Sequence, residues 1–241
     1  MNLVIDIGNT QAKLVIFDEG TPVEMLLTNN KTLEALDQLS IRTDIGKAIV
    51  CSVAYITPEA ERRLKELPFP VLRFQSTMPI PYVKNNYHTP QTLGSDRIAA
   101  VVGAAQQQPG RDLLVIDAGT CITYDFLDNQ GQYWGGNISP GLHMRLKAMH
   151  EQTARLPLVD ADGDTPCIGY DTPTAIRSGA KEGIRYEIEG YIRHFQKKFP
   201  SLLVFLTGGD HFDFDSPIKN IIFADKFLVA RGLNSILDYN I

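Results

Sequence analysis

Val4-Ile5-Asp6-Ile7-Gly8-Asn9-Thr10 opens this chain, and Val115-Ile116-Asp117-Ala118-Gly119-Thr120 repeats it near the middle. Each is an apolar run ending in Asp-x-Gly with a threonine just beyond. Each leads into a second β-like run, Lys13-Leu14-Val15-Ile16-Phe17 in one copy and Cys121-Ile122-Thr123-Tyr124-Asp125-Phe126 in the other. The pattern reads as one strand-turn-strand device used twice. A carboxylate at a strand end, beside a glycine that lets backbone N–H groups approach an anion, suits a metal-phosphate ligand. Asp and Gly are also common turn residues, so either copy alone reads as an ordinary hairpin. Matched order, matched flanks and placement at the start of each half argue for the duplicated device.

Outward from these two runs the halves follow one plan. A third run over residues 21–27 closes a small antiparallel meander at Glu19-Gly20. Residues 32–39 and 58–67 read as helices, with the short apolar run 48–53 between them of the kind buried in a parallel sheet. The proline-punctuated stretch from 79 to 90 reads as a loop, and Ile98, Val101, Val102 and Ala105 recur at helical spacing over 95–107. Pro109-Gly110 marks a boundary that divides the chain into domains 1–110 and 111–241. The second half repeats the meander over 113–116, 121–127 and 133–139, with Asp128-Asn129-Gln130-Gly131 as turn chemistry. A stripe of Ile176, Ile184, Ile188, Ile192 and Phe195 predicts a long amphipathic helix over 172–199. Strands over 202–206 and 221–223 and a helix near 230–237 complete it.

Composition narrows the function classes. The 241 residues are 44% hydrophobic and 21% charged, enough for a buried core and unlike a disordered chain. A formal net charge of −5 provides no basic field, so neither nucleic acid nor an anionic membrane is an expected partner. The start lacks a charged region followed by a long apolar run, and the expected location is cytoplasmic. The three cysteines, Cys51, Cys121 and Cys167, form no C-x-x-C pair, so neither zinc site nor disulfide framework is indicated. His211, within Gly209-Asp210-His211-Phe212-Asp213, reads more simply as part of a polar turn after a strand than as a metal ligand.

Two meander-plus-β-α halves, each opening on Asp-x-Gly, resemble the duplicated ribonuclease-H-like architecture shared by sugar kinases, actin and the Hsp70 ATPase domain. The resemblance implies an α/β fold of two such domains with the nucleotide in an inter-domain cleft. The Walker pattern of the commonest rival phosphate-binding plan is absent. Particular residues sharpen the likeness. Asp6-Ile7-Gly8-Asn9-Thr10-Gln11-Ala12-Lys13 resembles the D-x-G-N-T-x-x-K motif of type III pantothenate kinases, and Pro90-Gln91-Thr92-Leu93-Gly94-Ser95-Asp96-Arg97 resembles their P-x-x-L-G-x-D-R. Asp117-Ala118-Gly119-Thr120-Cys121-Ile122-Thr123 is similar to D-A-G-T-x-x-T, and Gly135-Gly136-Asn137-Ile138-Ser139-Pro140-Gly141 to G-G-x-I-x-P-G. Thr172-x-x-Ala175-Ile176 and Thr207-Gly208-Gly209 extend the match along nearly the whole chain. The implied activity is transfer of a phosphoryl group from ATP to the primary hydroxyl of pantothenate, the first step of coenzyme A synthesis.

Residue types agree with that chemistry. In phosphoryl transfer the protein positions groups and offsets charge, and a carboxylate accepts the attacking hydroxyl's proton. Asp96, after a glycine at a helix start and beside Arg97, suits the catalytic base, although such a position equally suits helix capping. Arg97 has the fork geometry for a substrate carboxylate, or for an ion pair with a neighbour. Asp6, Gly8, Asn9, Thr10 and Lys13 are the expected ATP contacts, with Asp6 reaching Mg²⁺ directly or through water. Lys13 on its strand could equally be a solvated surface lysine. The resemblance further implies Thr120 as an ATP contact and a monovalent cation, K⁺ or NH₄⁺, at Asp117. It also implies Tyr87, Gly94, Ser95, Asp96, Arg97 and Thr172 around the vitamin. From local sequence alone Thr172 reads as a helix N-cap with Pro173 following it at the first helical position.

The second copy of the turn lacks a counterpart of Asn9, so the two turns need not hold the same part of ATP. The resemblance implies a homodimer that shares its active sites, Thr172 of one subunit serving the Asp96 site of the other. Leu142, Met144, Leu146 and Met149 would present an apolar face there, or simply core. Two other readings remain on the same fold: a kinase for another small hydroxylated substrate, and a catalytically weak regulator of gene expression. Asp6, Asp96, Arg97 and Asp117 together argue for activity.

Overall fold

The first strand, β1 (Asn2–Ile7), explains the rest of its sheet. Leu3, Val4, Ile5 and Ile7 are wholly buried, as a strand covered on both faces requires. In this computed structural model, which describes residues 1–209 and 221–241, β1 pairs antiparallel with β2 (Ala12–Asp18). It pairs in parallel with β4 (Lys47–Ser52), and β3 (Thr21–Thr28) and β5 (Val71–Arg73) complete the order β3-β2-β1-β4-β5. Glu19 and Gly20, with φ of 45° and 80°, turn β2 into β3, the left-handed pair whose twist matches a tight hairpin.

The second sheet contains β6 (Lys84–Asn85), β7 (Leu113–Ala118), β8 (Cys121–Leu127), β9 (Gln132–Pro140), β10 (Leu203–Gly208) and β11 (Ile222–Ala224). Its order is β11-β10-β7-β8-β9-β6. With β6 set aside this is the first sheet again, β7 standing for β1, β8 for β2, β9 for β3, β10 for β4 and β11 for β5. The repeat legible in the two Asp-x-Gly runs is therefore a repeat of the whole five-strand frame, and the fold is the duplicated α/β architecture of the actin, Hsp70 and sugar-kinase group.

Helices α1 (Leu36–Leu39), α2 (Pro58–Glu66), α3 (Ser95–Gln107), α4 (Leu142–Glu151), α5 (Thr172–Lys198) and α6 (Leu228–Asn240) connect and cover these strands. Thr57 caps α2 by accepting the Ala60 N–H at 3.2 Å, and Pro58 at the first turn loses no helical hydrogen bond. The helix expected over 32–39 shortens to the single turn of α1. Leu33 is buried with a φ of 53°, which a right-handed helix cannot contain. The loop expected over 79–90 includes β6, where Lys84 and Asn85 pair in parallel with Gln132 and Tyr133. The N-cap of α5 is Asp171 rather than Thr172. The Asp171 carboxylate accepts the Thr174 N–H at 2.9 Å, and the Thr174 hydroxyl reciprocates toward the Asp171 backbone.

The chain divides into two compact units that are discontinuous in sequence. One comprises Met1–Arg111, Phe126–Gly135 and Phe227–Ile241; the other comprises Asp112–Asp125 and Gly136–Lys226. The C-terminal helix α6 belongs to the first of these units, where it packs along α3. A Cβ on Gly232 would stand 1.8 Å from the Ala99 carbonyl oxygen, and one on Gly103 would stand 2.3 Å from that of Leu228. Only glycine permits this approach, and it buries α3 from Arg97 to Ala105 together with Leu228, Leu233, Ile236 and Leu237 of α6. Each such leucine or isoleucine contributes roughly 1.5–3 kcal/mol of burial. Among the described residues no helix is long and apolar enough to cross a membrane.

Candidate active site

Asp6 is the polar interruption in β1. The ladder sets it opposite Lys13 on β2 and beside Cys51 on β4. Burial pushes the Asp6 carboxyl up to about 6, Lys13 offsets part of that rise, and the charge of Asp96 adds to it. Asp96 thus lies within electrostatic reach of Asp6, although 90 residues separate them in sequence. Cys51 feels the same two carboxylates, after burial itself, and its thiol is held well above its ordinary range. It is therefore a small neutral spacer beneath the two acids rather than a nucleophile. Gly8 closes the turn after β1 by donating its N–H to the Gln11 carbonyl at 3.1 Å, which leaves Asn9 and Thr10 exposed at the tip. Asn30 holds that tip from below, its Nδ2 donating to the carbonyls of Gly8 and Asn9 at 2.9 Å each.

Asp96 stands in the first turn of α3, with Gly94 at the N-cap. Its Oδ1 accepts the Arg97 N–H at 2.8 Å. A Cβ on Gly94 would come within 2.6 Å of that same oxygen, so a larger residue there would turn the Asp96 carboxylate aside. Arg97 is buried at 6% exposure, and its guanidinium lies 5.8 Å from the centre of the Tyr87 ring. Tyr87 stacks in turn on the fully buried Tyr133 of β9 at 6.3 Å. Tyr87, Gly94, Ser95, Asp96 and Arg97 are thereby brought to one end of α3.

In the other unit Asp117 occupies on β7 the place that Asp6 occupies on β1, half-buried beside Thr207 of β10. The turn after it is shorter. Gly119 donates to the Cys121 carbonyl at 3.1 Å, and Thr120 alone is exposed at the tip. Four residues separate β1 from β2, but only two separate β7 from β8. The two turns therefore differ in length and in closing hydrogen bond, in keeping with the missing counterpart of Asn9. Thr172 is exposed at the start of α5 in this same unit.

Similarity to known proteins follows the same residues. A family model described as type III pantothenate kinase matches residues 2–194. The chain belongs to the type III pantothenate kinase family. A type III pantothenate kinase of Bacteroides fragilis is 57% identical over 240 residues, covering 100% of this chain and 98% of that one. Among solved structures, a protein of Campylobacter jejuni described as a Baf family transcriptional activator aligns with a TM-score of 0.60 and 24% identity, covering 99% and 98% of the two chains. A Listeria monocytogenes protein described as an N-acetylmannosamine kinase aligns with a TM-score of 0.58 and 15% identity over 100% and 99%. These two likenesses carry the fold alone.

Membership implies ATP with Mg²⁺, and the donor set fits. Among the described residues no group of three or more His, Cys, Asp or Glu side chains converges. Mg²⁺ bound with a nucleotide needs no such cage, because phosphates and water supply most of its octahedron. A half-buried Asp6 whose ionisation is opposed by desolvation and by Asp96 is the donor a hard cation would relieve. His211 lies outside the described residues. Sequence reasoning had no signal for Asn30, Tyr133 or the Asp171 cap. Their roles depend on what folds next to them, and Asn, Tyr and Asp are unremarked in loops, strands and turns.

Proposed function

We propose that this chain transfers the γ-phosphoryl group of ATP to the primary hydroxyl of pantothenate, with Asp96 as the base. The observation that carries the reading is that Asp96, in the first turn of α3 behind Gly94, lies within electrostatic reach of Asp6 at the first phosphate turn. The hydroxyl oxygen bonds to the γ-phosphorus as the bond to ADP breaks, and its proton passes to the Asp96 carboxylate. Arg97 and Tyr87 hold the acceptor's carboxylate end and carbon skeleton. Gly8, Asn9, Thr10, Lys13 and Thr120 are the proposed phosphate contacts. Asp6 holds Mg²⁺, whose charge offsets that of the phosphoryl oxygens. Asp117 holds K⁺ or NH₄⁺.

A coupled ADP-release assay tests this reading. ADP release is expected only with pantothenate present and only in K⁺ or NH₄⁺ buffer, and Asp117→Ala is expected to lose both the ion response and most of the rate. Full activity of the unaltered chain in Na⁺-only buffer would remove the monovalent cation. ADP release equal with and without pantothenate, or restored better by another alcohol, would remove the acceptor.

The site is completed, on this reading, in a homodimer in which Thr172 of one subunit reaches the acceptor pocket of the other. Ile138 on β9, Met144 on α4 and Tyr186 on α5 are exposed at 61%, 40% and 58%, apolar surface suited to burial against a second copy. Light scattering at assay concentration is expected to give twice the mass of the 26.8 kDa chain. A fully active monomer would contradict shared sites.

A further inference from the structure

A polar cluster on the second unit includes Ser139 of the Gly135–Gly141 motif but none of the residues assigned to substrate. Glu187, in the middle of α5, collects donors from three other elements. The Tyr124 hydroxyl of β8 donates to its Oε1 at 2.8 Å, the Ser139 hydroxyl of β9 donates to the same oxygen at 2.5 Å, and the Arg145 guanidinium of α4 pairs with its Oε2. Burial raises the Glu187 carboxyl, but the hydrogen bonds from Ser139, Arg145 and Tyr124 outweigh it and hold the group below its ordinary range. The Tyr124 ring is locked by stacking on Tyr191 at 3.9 Å.

The cluster leads to the second phosphate turn through Arg145. Its Nε donates to the Pro140 carbonyl at 2.8 Å, so the side chain grips Pro140, while Gly141 is held by the first helical bond of α4, from the Arg145 N–H at 3.0 Å. Gly141 in turn donates its N–H to the Thr120 carbonyl at 3.1 Å. A Cβ at Gly141 would stand 2.1 Å from the Gly119 carbonyl oxygen and 2.7 Å from that of Thr120, so the corner is seated directly on the turn. Within itself that turn has the Gly119 to Cys121 hydrogen bond, and its tip is exposed. A partly accessible ion pair, with the two side chains 21% and 25% exposed, adds little to stability and holds direction instead.

We infer that Arg145 and Glu187 are positioning residues for the nucleotide phosphates, acting through Pro140 and Gly141 on the Gly119–Thr120 turn. The inference rests on the reading of Thr120 as a nucleotide contact. Loss of either residue loosens the turn for ground state and transition state alike, which raises KM for ATP more than it lowers kcat. Pantothenate, held at α3, is unaffected.

Steady-state kinetics of the full chain with each substrate varied test this. Arg145→Met and Glu187→Gln are expected to raise KM for ATP by about tenfold while KM for pantothenate stays within about twofold. Arg145→Lys, which keeps the charge but cannot reach Pro140 and Glu187 as a fork, is expected to fall between. Thr120→Val is the reference for the underlying reading, with an expected rise in KM for ATP as well. If Thr120→Val shows that rise and the Arg145 and Glu187 variants do not, the inference is overturned and the reading stands. If Thr120→Val has no effect, the reading fails and the inference with it. Parallel rises in both KM values, or a lowered Tm with neither KM changed, would mark Arg145 and Glu187 as supports of the fold only. Should Arg145→Met not fold, Glu187→Gln and Arg145→Lys give the same decision.

Discussion

Asp96→Asn is expected to lower kcat by about 10²–10⁴-fold, the range spanned by a positioned proton acceptor, with circular dichroism unchanged and Tm no lower than the parent's. The substitution is nearly isosteric, and an Asn oxygen can still accept the Arg97 N–H that Asp96 accepts at 2.8 Å. The first turn of α3 is therefore preserved, and so is the space beside Gly94. What the amide lacks is basicity. The attacking hydroxyl must then form its bond to phosphorus without a nearby group to take its proton. Binding of both substrates is expected to remain close to normal, because neither ATP nor the acceptor needs Asp96 ionised in order to dock. A correctly folded Asp96→Asn enzyme with near-normal kcat would remove the base assignment.

Asp6→Asn is expected to act on activity and stability in opposite directions. Loss of the carboxylate removes the Mg²⁺ donor at the first phosphate turn, and kcat/KM for ATP is expected to fall by about 10²-fold or more. In the protein free of nucleotide and metal, the same change relieves a penalty. The folded carboxyl titrates at about 6 against an ordinary 3.8, so the folded state binds the proton more tightly than the unfolded state. The stability this group contributes is full below the unfolded value and is lost as pH rises through about 6. Groups from each neighbouring strand and helix set this balance: Lys13 from β2 lowers the value, while burial first and then Asp96 from α3 raise it. The Asn variant is accordingly expected to exceed the parent by on the order of 1–3 kcal/mol above pH 6, with the difference shrinking toward pH 4. Thermal melts in chelator across that range check the sign. A variant less stable than the parent at neutral pH, and equally active, would contradict both halves of the argument.

Much of this was legible in the chain because the informative features are local. Asp-x-Gly at a strand end, flanked by β-like runs, specifies a strand, a turn and a carboxylate at once, and its recurrence at Asp117 revealed the duplicated frame. The stripe of isoleucines from Ile176 to Ile192 located α5, whose buried face it is. The rest depended on tertiary partners. No local rule reveals that Leu33 takes a left-handed conformation in order to stay buried, or that the two residues of β6 pair with Gln132 and Tyr133. The cap of α5 went to Asp171 because it reaches the Thr174 N–H, a choice that the adjacent Thr172 and Pro173 obscured. Glu187 carries no sequence signal at all: a glutamate within a long helix is ordinary until Tyr124, Ser139 and Arg145 fold against it.

The most direct measurement is the position of the transferred phosphate. The chain is incubated with ATP, Mg²⁺, K⁺ and pantothenate, and the product is examined by phosphorus–proton correlation in nuclear magnetic resonance. A phosphorus signal coupled to the methylene protons of the primary hydroxyl carbon, formed in step with ADP and absent with Asp96→Asn, is the predicted result. Release of ADP with only inorganic phosphate, or no turnover of pantothenate at all, would contradict it.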